Sequence, residues 1–240
     1  MNDTFGMALM AYFDDPTSVH VIERDDGHIH ITETKGYFRE FPEWNPVEQE
    51  LARLVEGRVL DVGCGNGRCM KYFQENGVEA VGIDLSELAV EAAKRFGLNN
   101  CLVMDALNLE FPENAFDTVT LMGNGLGLCG LESSRKMLQG LSLVARQKGL
   151  LLASSRDVKI TTNLLNFAYH QRNREQGKPI GLVRLRVNFG ELKGDWFDLY
   201  MPEPDEVEGF IEDTGWVLEK MIKAEDQTHG IFGVVLRNQK

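Results

Sequence analysis

The chain has 240 residues, enough for one large α/β domain with a small elaboration and too few for two comfortable domains. Its composition, 43% hydrophobic and 26% charged, excludes wholesale disorder. A net charge of −12 repels polyanions, so a nucleic-acid partner, which needs a basic face for its phosphates, is not expected.

In chain order, residues 1–46 read as a short helix followed by a hairpin, VHVIE (19–23) and HIHIT (28–32), turning on Asp25, Asp26 and Gly27. From residue 57 to 155 apolar runs alternate with amphipathic ones. RVLDVG (58–63) reads as a buried strand and RCMKYFQENG (68–77) as a helix stopped by glycine. AVGID (80–84) is a strand, and SELAVEAAKRFG (86–97) a helix with Ser86 as N-cap. CLVMD (101–105) and FDTVTLM (116–122) follow as strands, 131–149 as a long helix, and GLLLASS (149–155) as a fifth strand. Residues 157–201 predict a helix at 163–177 and a hairpin of 182–190 with 195–201. The tail predicts a helix from Pro202 to Gly215, then two antiparallel strands at 216–224 and 230–237.

Strands separated by helices imply a doubly wound, mostly parallel sheet with helices on both faces. Seven strands with a final antiparallel one are expected. The domain reading is an N-terminal cap or lid at 1–46, a core made of 47–156 and 203–240, and a second cap inserted at 157–202 after the fifth strand.

The chemistry concentrates at Asp61, Val62, Gly63, Cys64, Gly65, Asn66 and Gly67. Glycines at alternate positions after a strand let the backbone turn sharply and let a ligand approach it. The helix that follows offers unpaired N–H groups to an anion. Asp84 ends the second strand, where a carboxylate can accept hydrogen bonds from ribose hydroxyls, and Asp105 ends the third, where it can face an adenine amino group. Ligands of open α/β sheets bind at these carboxyl ends. A nicotinamide dehydrogenase would space its glycines GxGxxG, but here the third glycine's place is held by Arg68. Cys64, Cys69, Cys101 and Cys129 form no CxxC pair and read as reduced, mostly buried thiols. The N-terminus lacks the basic start and cleavage site of a signal peptide, and no apolar run is long enough to span a bilayer, so a cytoplasmic protein without membrane contact is expected.

VLDVGCGNG (59–67) resembles the first motif of class I, Rossmann-like S-adenosylmethionine-dependent methyltransferases, GIDLS (82–86) the second and MDALNLEF (104–111) the third. FDTVTLMGNGLG (116–127) is similar to the fourth-strand segment that borders the transferred methyl. The resemblance covers roughly 50–155 and 203–237 and implies S-adenosylmethionine as cofactor and S-adenosylhomocysteine as product. It places Gly63, Cys64, Gly65, Asn66 and Gly67 under the methionine moiety with Asp61 orienting that loop. Asp84 would hold the ribose, Leu85 and Ala106 would line the adenine, and Asp105 would meet its amino group. Met122, Gly123 and Asn124 would lie beside the sulfonium. KGYFREFPEW (35–44) resembles a lid that many small-molecule members close over the cofactor, with Tyr37 and Trp44 as its contacts.

Methyl transfer from a sulfonium needs orientation and exclusion of water more than a dedicated catalytic residue. A small-molecule acceptor in an enclosed site is expected. The alternatives are a non-catalytic cofactor-binding sensor or partner subunit, or a protein or peptide methyltransferase. His170 and Tyr169, in the inserted helix, are the candidate bases. No metal is expected, because Asn124 and Asp157 lack the adjacent acid–amide pair of catechol-type enzymes. Residues 156–194 hold eight Lys/Arg against three acids, whereas 1–50 hold eleven acids against three Lys/Arg. Arg184 and Arg186, on one side of a strand, are therefore candidates to hold an anionic group of the acceptor, or to balance the acidic N-terminal segment.

Overall fold

The computed structural model describes residues 2–223 and 230–240, so Ala224, the last residue of the strand expected at 216–224, lies outside the described residues. In chain order the elements are α1 (Thr4–Ala11), β1 (Val19–Arg24), β2 (Ile29–Glu33), α2 (Pro46–Arg53), β3 (Val59–Val62), α3 (Arg68–Glu75), β4 (Ala80–Asp84), α4 (Glu87–Arg95), β5 (Cys101–Val103) and β6 (Phe116–Leu121). There follow α5 (Gly130–Val144), β7 (Ala145–Arg156), α6 (Leu164–Glu175), β8 (Leu182–Phe189), β9 (Leu192–Lys193), β10 (Phe197–Tyr200), α7 (Val207–Ile211), β11 (Trp216–Lys223) and β12 (Ile231–Asn238).

The central sheet has seven strands in the order β11-β12-β7-β6-β3-β4-β5. β3, β4, β5, β6 and β7 are parallel, and β12 runs antiparallel between β7 and β11. The order reverses at β3, so the crevice for a ligand opens beyond the carboxyl ends of β3, β4 and β6. Both faces are covered. On one, Met137, Leu138 and Leu141 of α5 and Phe210 of α7 pack on Leu60, Val119 and Leu151. On the other, Ala52 of α2, Met70 and Phe73 of α3 and Val90 of α4 meet Val59 and Ala80, and Val47 and Leu51 of α2 meet Leu152 and Val235. Alternation along β3 sends Val59 to one core and Leu60 to the other, which is why its four residues are all buried.

The two hairpins outside this alternation form a single antiparallel sheet, β10-β8-β1-β2, with β9 on β8. β1 pairs β2 with His20 opposite Thr32, and it pairs β8 with Glu23 opposite Arg186. α1 ties this sheet to the core. Asp3 caps α1 through the Gly6 amide, and its carboxylate accepts hydrogen bonds from Ser86 Oγ and the Leu88 amide at the start of α4.

Two expectations are corrected. The helix expected from Pro202 to Gly215 exists only over Val207–Ile211. Pro202 and Pro204 cannot donate, the Glu206 carboxylate takes the Glu203 amide and the Tyr200 hydroxyl, and Asp213 and Gly215 sit at φ +60° and +89°. β7 begins at Ala145, four residues before the expected Gly149, because Ala145 pairs with Phe116 ahead of a register shift and Lys148 turns at φ +60°.

Candidate functional site

The crescent at the strand ends is built on backbone that only a glycine-rich sequence adopts readily. Gly63, Gly65 and Gly67 have φ of +69°, +56° and +84°, and the space a side chain would take at Gly65 is open. The loop is held by amides of Gly63 and Cys64 on the Ile83 carbonyl and by the Gly65 amide on Asp84 Oδ2 at 2.8 Å. Asp84 Oδ1 accepts from the Ser86 amide at 2.9 Å. Burial raises the Asp84 carboxyl above its ordinary value against these two amides. Each carboxylate oxygen keeps acceptor capacity for a further donor. Leu85, next to it, is 63% exposed, an apolar side chain left uncovered at the mouth. Asn66 is 2% exposed, and its side-chain nitrogen is buried without a hydrogen-bond partner among the described residues. Cys64 turns its thiol inward against Gly82, so only its backbone belongs to the loop surface.

Below the loop lies a charged hub that motif reading missed. Glu48 of α2 is 4% exposed. One of its carboxylate oxygens accepts from the Gly123 amide at 3.0 Å and Ser154 Oγ at 2.8 Å, and the other from Arg68 at 2.7 Å. Arg68, the residue at the dehydrogenase glycine's place, also lies over the Trp44 ring at 4.8 Å. Asp61 accepts from Thr120 Oγ1 at 2.6 Å. Burial pushes its carboxyl up to about 7, helped by the neighbouring Asp84 and Glu48 and opposed by Thr120 and Arg68. The only advance signal of this hub is a glutamate on the apolar face of a helix.

After β6 the chain turns through Gly123 and Asn124, both left-handed at φ +68° and +67°. Asparagine tolerates that region better than most residues. Asp105 accepts from the Leu107 amide and the Asn108 side chain, so both of its oxygens serve its own turn, with Ala106 partly buried beside it. In the segment expected as a lid, Tyr37 meets the rings of Phe5 and His20, and burial raises its hydroxyl while Arg68 pulls the other way. Trp44 is in the core, with its ring nitrogen donating to the Arg39 carbonyl at 2.9 Å. It supports Arg68 rather than standing free over the crevice.

The remaining candidates gather at the antiparallel sheet. Tyr169 donates to Asp25 Oδ1 at 2.8 Å, accepts from the Arg184 amide at 3.2 Å, and its ring lies between the guanidinium groups of Arg24 and Arg172. Its only hydroxyl proton is committed. His170 is buried against Phe167, and burial, with Arg174 and Arg24 nearby, lowers its pKa. Arg186 forms a two-pronged pair with Glu23 at 2.8 and 3.0 Å, and Arg184 lies 3.6 Å from Asp198. In this structure the arginines balance acids of neighbouring strands.

Residues 59–149 match the family model described as a methyltransferase domain. A ubiquinone biosynthesis O-methyltransferase of Hahella chejuensis is 35% identical over 95 residues, 35% of this chain and 40% of that protein. A tRNA U34 carboxymethyltransferase of Shewanella baltica is 38% identical over 103 residues, 40% of this chain and 31% of that protein. The chain thus spans less than half the length of these curated relatives. A SAM-dependent methyltransferase of Bacteroides fragilis, solved in complex with S-adenosyl-L-homocysteine, superposes with a TM-score of 0.82 over 99% of this chain and 95% of that one, at 24% identity.

Proposed function

We propose that this chain, whose residues 59–149 match the methyltransferase-domain family model, is an S-adenosylmethionine-dependent methyltransferase acting on a small molecule. The observation that carries the reading is the joining of Asp84 to the Gly65 amide. It places a carboxylate with spare acceptor capacity, an open glycine turn and the buried, unpartnered Asn66 amide within one crescent. These residues fit the cofactor. Gly63, Gly65, Asn66 and Gly67 would hold the methionine end, Asp84 the ribose hydroxyls, and Leu85 and Ala106 the adenine. Asp105 would reach the adenine amino group through acceptor capacity its turn leaves over.

When bound, S-adenosylmethionine supplies a methyl group activated by the positive sulfonium. The chain's own part is to orient and to exclude water. Glu48 fixes the Gly123 amide and thereby the Met122–Asn124 turn that would border the methyl. With Arg68 paired to Glu48, Asp84 and the part-ionised Asp61 leave the hub a surplus of acid, which favours a cationic ligand. The antiparallel sheet and α6 form the cap that would enclose the acceptor, in keeping with a fold that matches the Bacteroides enzyme over nearly its whole length.

The chain's charge of −12 weighs against tRNA as acceptor, although one relative's name contains it. Incubation with methyl-labelled S-adenosylmethionine, and in parallel a small-metabolite fraction or total tRNA, decides between them. Label is expected in the metabolite fraction. Label in tRNA alone overturns the small-molecule assignment, and label in neither, with the cofactor bound, favours a cofactor-binding sensor.

A further inference from the structure

Glu48, Asp61 and Asp84 gather three carboxylates under the glycine turn around one guanidinium, Arg68, so they do not ionise on equal terms. What separates them is the supply of donors. Glu48 takes Arg68, Ser154 Oγ and the Gly123 amide. Asp84 takes the Gly65 and Ser86 amides. Asp61 takes the Thr120 hydroxyl alone, and its other oxygen accepts no hydrogen bond among the described residues.

The strand register accounts for that isolation. Asp61 lies between Thr120 of β6 and Gly82 of β4. Gly82 has no side chain to offer, and the room beside it is filled by the Cys64 thiol, whose sulfur sits 2.9 Å from where a Cβ would be. That thiol is turned to the Gly65 carbonyl. Arg68 and Cys69 face the carboxyl from α3, and Glu48 faces it from α2. Both thiols are held protonated, Cys64 chiefly by its contact with Cys101 and Cys69 by burial, and Arg68 is already taken by Glu48.

Asp61 is 3% exposed. Burial, with Asp84 and Glu48 beside it, pushes its carboxyl up to about 7, so near neutral pH the group is divided between acid and carboxylate. A buried group poised in this way responds to any charge brought close, because the interior screens charge poorly. S-adenosylmethionine and S-adenosylhomocysteine carry the same carboxylate and ammonium. The first brings a sulfonium charge to the crescent that the second lacks.

We propose that Asp61 is the residue by which the site tells the sulfonium of the cofactor from the thioether of the product, releasing its proton to solvent when the first binds and keeping it when the second does. This rests on the methyltransferase reading and deepens it. The sign follows from the charge. Below the window around pH 7 Asp61 is neutral and adds nothing to the hold on the sulfonium, and as pH rises through that window the charged ligand gains over the uncharged thioether.

The test is calorimetry of the full chain with each ligand, in two buffers of unlike ionisation enthalpy, which counts the protons exchanged. Asp61→Asn cannot titrate and retains only what the ligands' own ammonium contributes, so the expected figures are wild type against this variant. If the sulfonium draws the Asp61 titration down by about one pH unit, binding of S-adenosylmethionine releases about 0.4 proton at pH 7, and its affinity relative to S-adenosylhomocysteine rises about fivefold from pH 6 to pH 8. Thr120→Val removes the hydroxyl that favours the carboxylate and is expected to move that rise to higher pH. Equal proton counts for the two ligands, the same counts in wild type and Asp61→Asn, or a rise that Thr120→Val leaves in place overturn the proposal and leave the cofactor reading intact. Failure of both ligands to bind the wild type overturns the methyltransferase reading instead.

Discussion

Asp61 is the residue whose physics reaches furthest. A carboxyl held at about 7 in the folded chain and near 4 in the unfolded one binds more protons when folded. Its contribution therefore weakens stability as pH rises from about 4 to about 7 and costs up to a few kcal/mol above that window. Asp61→Asn keeps an oxygen for Thr120 and removes the titration. The variant is expected to unfold at higher denaturant than the wild type at pH 8, with the gap closing by pH 4. Parallel midpoints across that range would show that Asp61 ionises freely in the fold. Asp84 makes a separate prediction. Asp84→Ala should weaken S-adenosylhomocysteine binding by about 1.5–3 kcal/mol, the scale of hydrogen bonds to a charged group, and calorimetry measures it.

At the scale of elements, α6 is fastened to the antiparallel sheet by Tyr169, through its bonds to Asp25 and the Arg184 amide. Tyr169→Phe keeps the ring between its two arginines and loses only the hydroxyl. It is expected to cost about 1 kcal/mol of stability by denaturant titration, with methyl transfer per folded molecule unchanged. A large fall in turnover with unchanged stability would make Tyr169 a catalytic group after all. The parallel strands and most of their helices were legible because local signals agree: buried apolar runs, the Ser86 cap and the stops at Gly77 and Gly97 fall where the structure has them, whereas the helix expected over 131–149 ends at Val144. The glycine turn and Asp84 were legible because they are neighbours across two adjacent strands. Glu48 was not, because its partners Arg68, Gly123 and Ser154 lie 20, 75 and 106 residues away and no local pattern joins them. Nor was the single antiparallel sheet, since Glu23 and Arg186 are 163 residues apart and each hairpin is consistent with a separate partner. The charge asymmetry between the two segments was the one trace of that pairing.

Taken whole, the chain is a doubly wound sheet that ends three parallel strands in one crescent, with a second, antiparallel sheet tied to it through α1. The Asp3 carboxylate is the joint, bonding both the first turn of α1 and the start of α4. The crescent's acidic hub and open glycine turn predict a ligand that is a nucleoside carrying a positive charge, which nearby carboxylates favour over a pyrophosphate. The direct measurement is calorimetry of the full chain with S-adenosylmethionine, S-adenosylhomocysteine and NAD. Micromolar binding of the first two and no heat from NAD is the predicted result. Tight binding of NAD, with neither S-adenosyl compound bound, would contradict it.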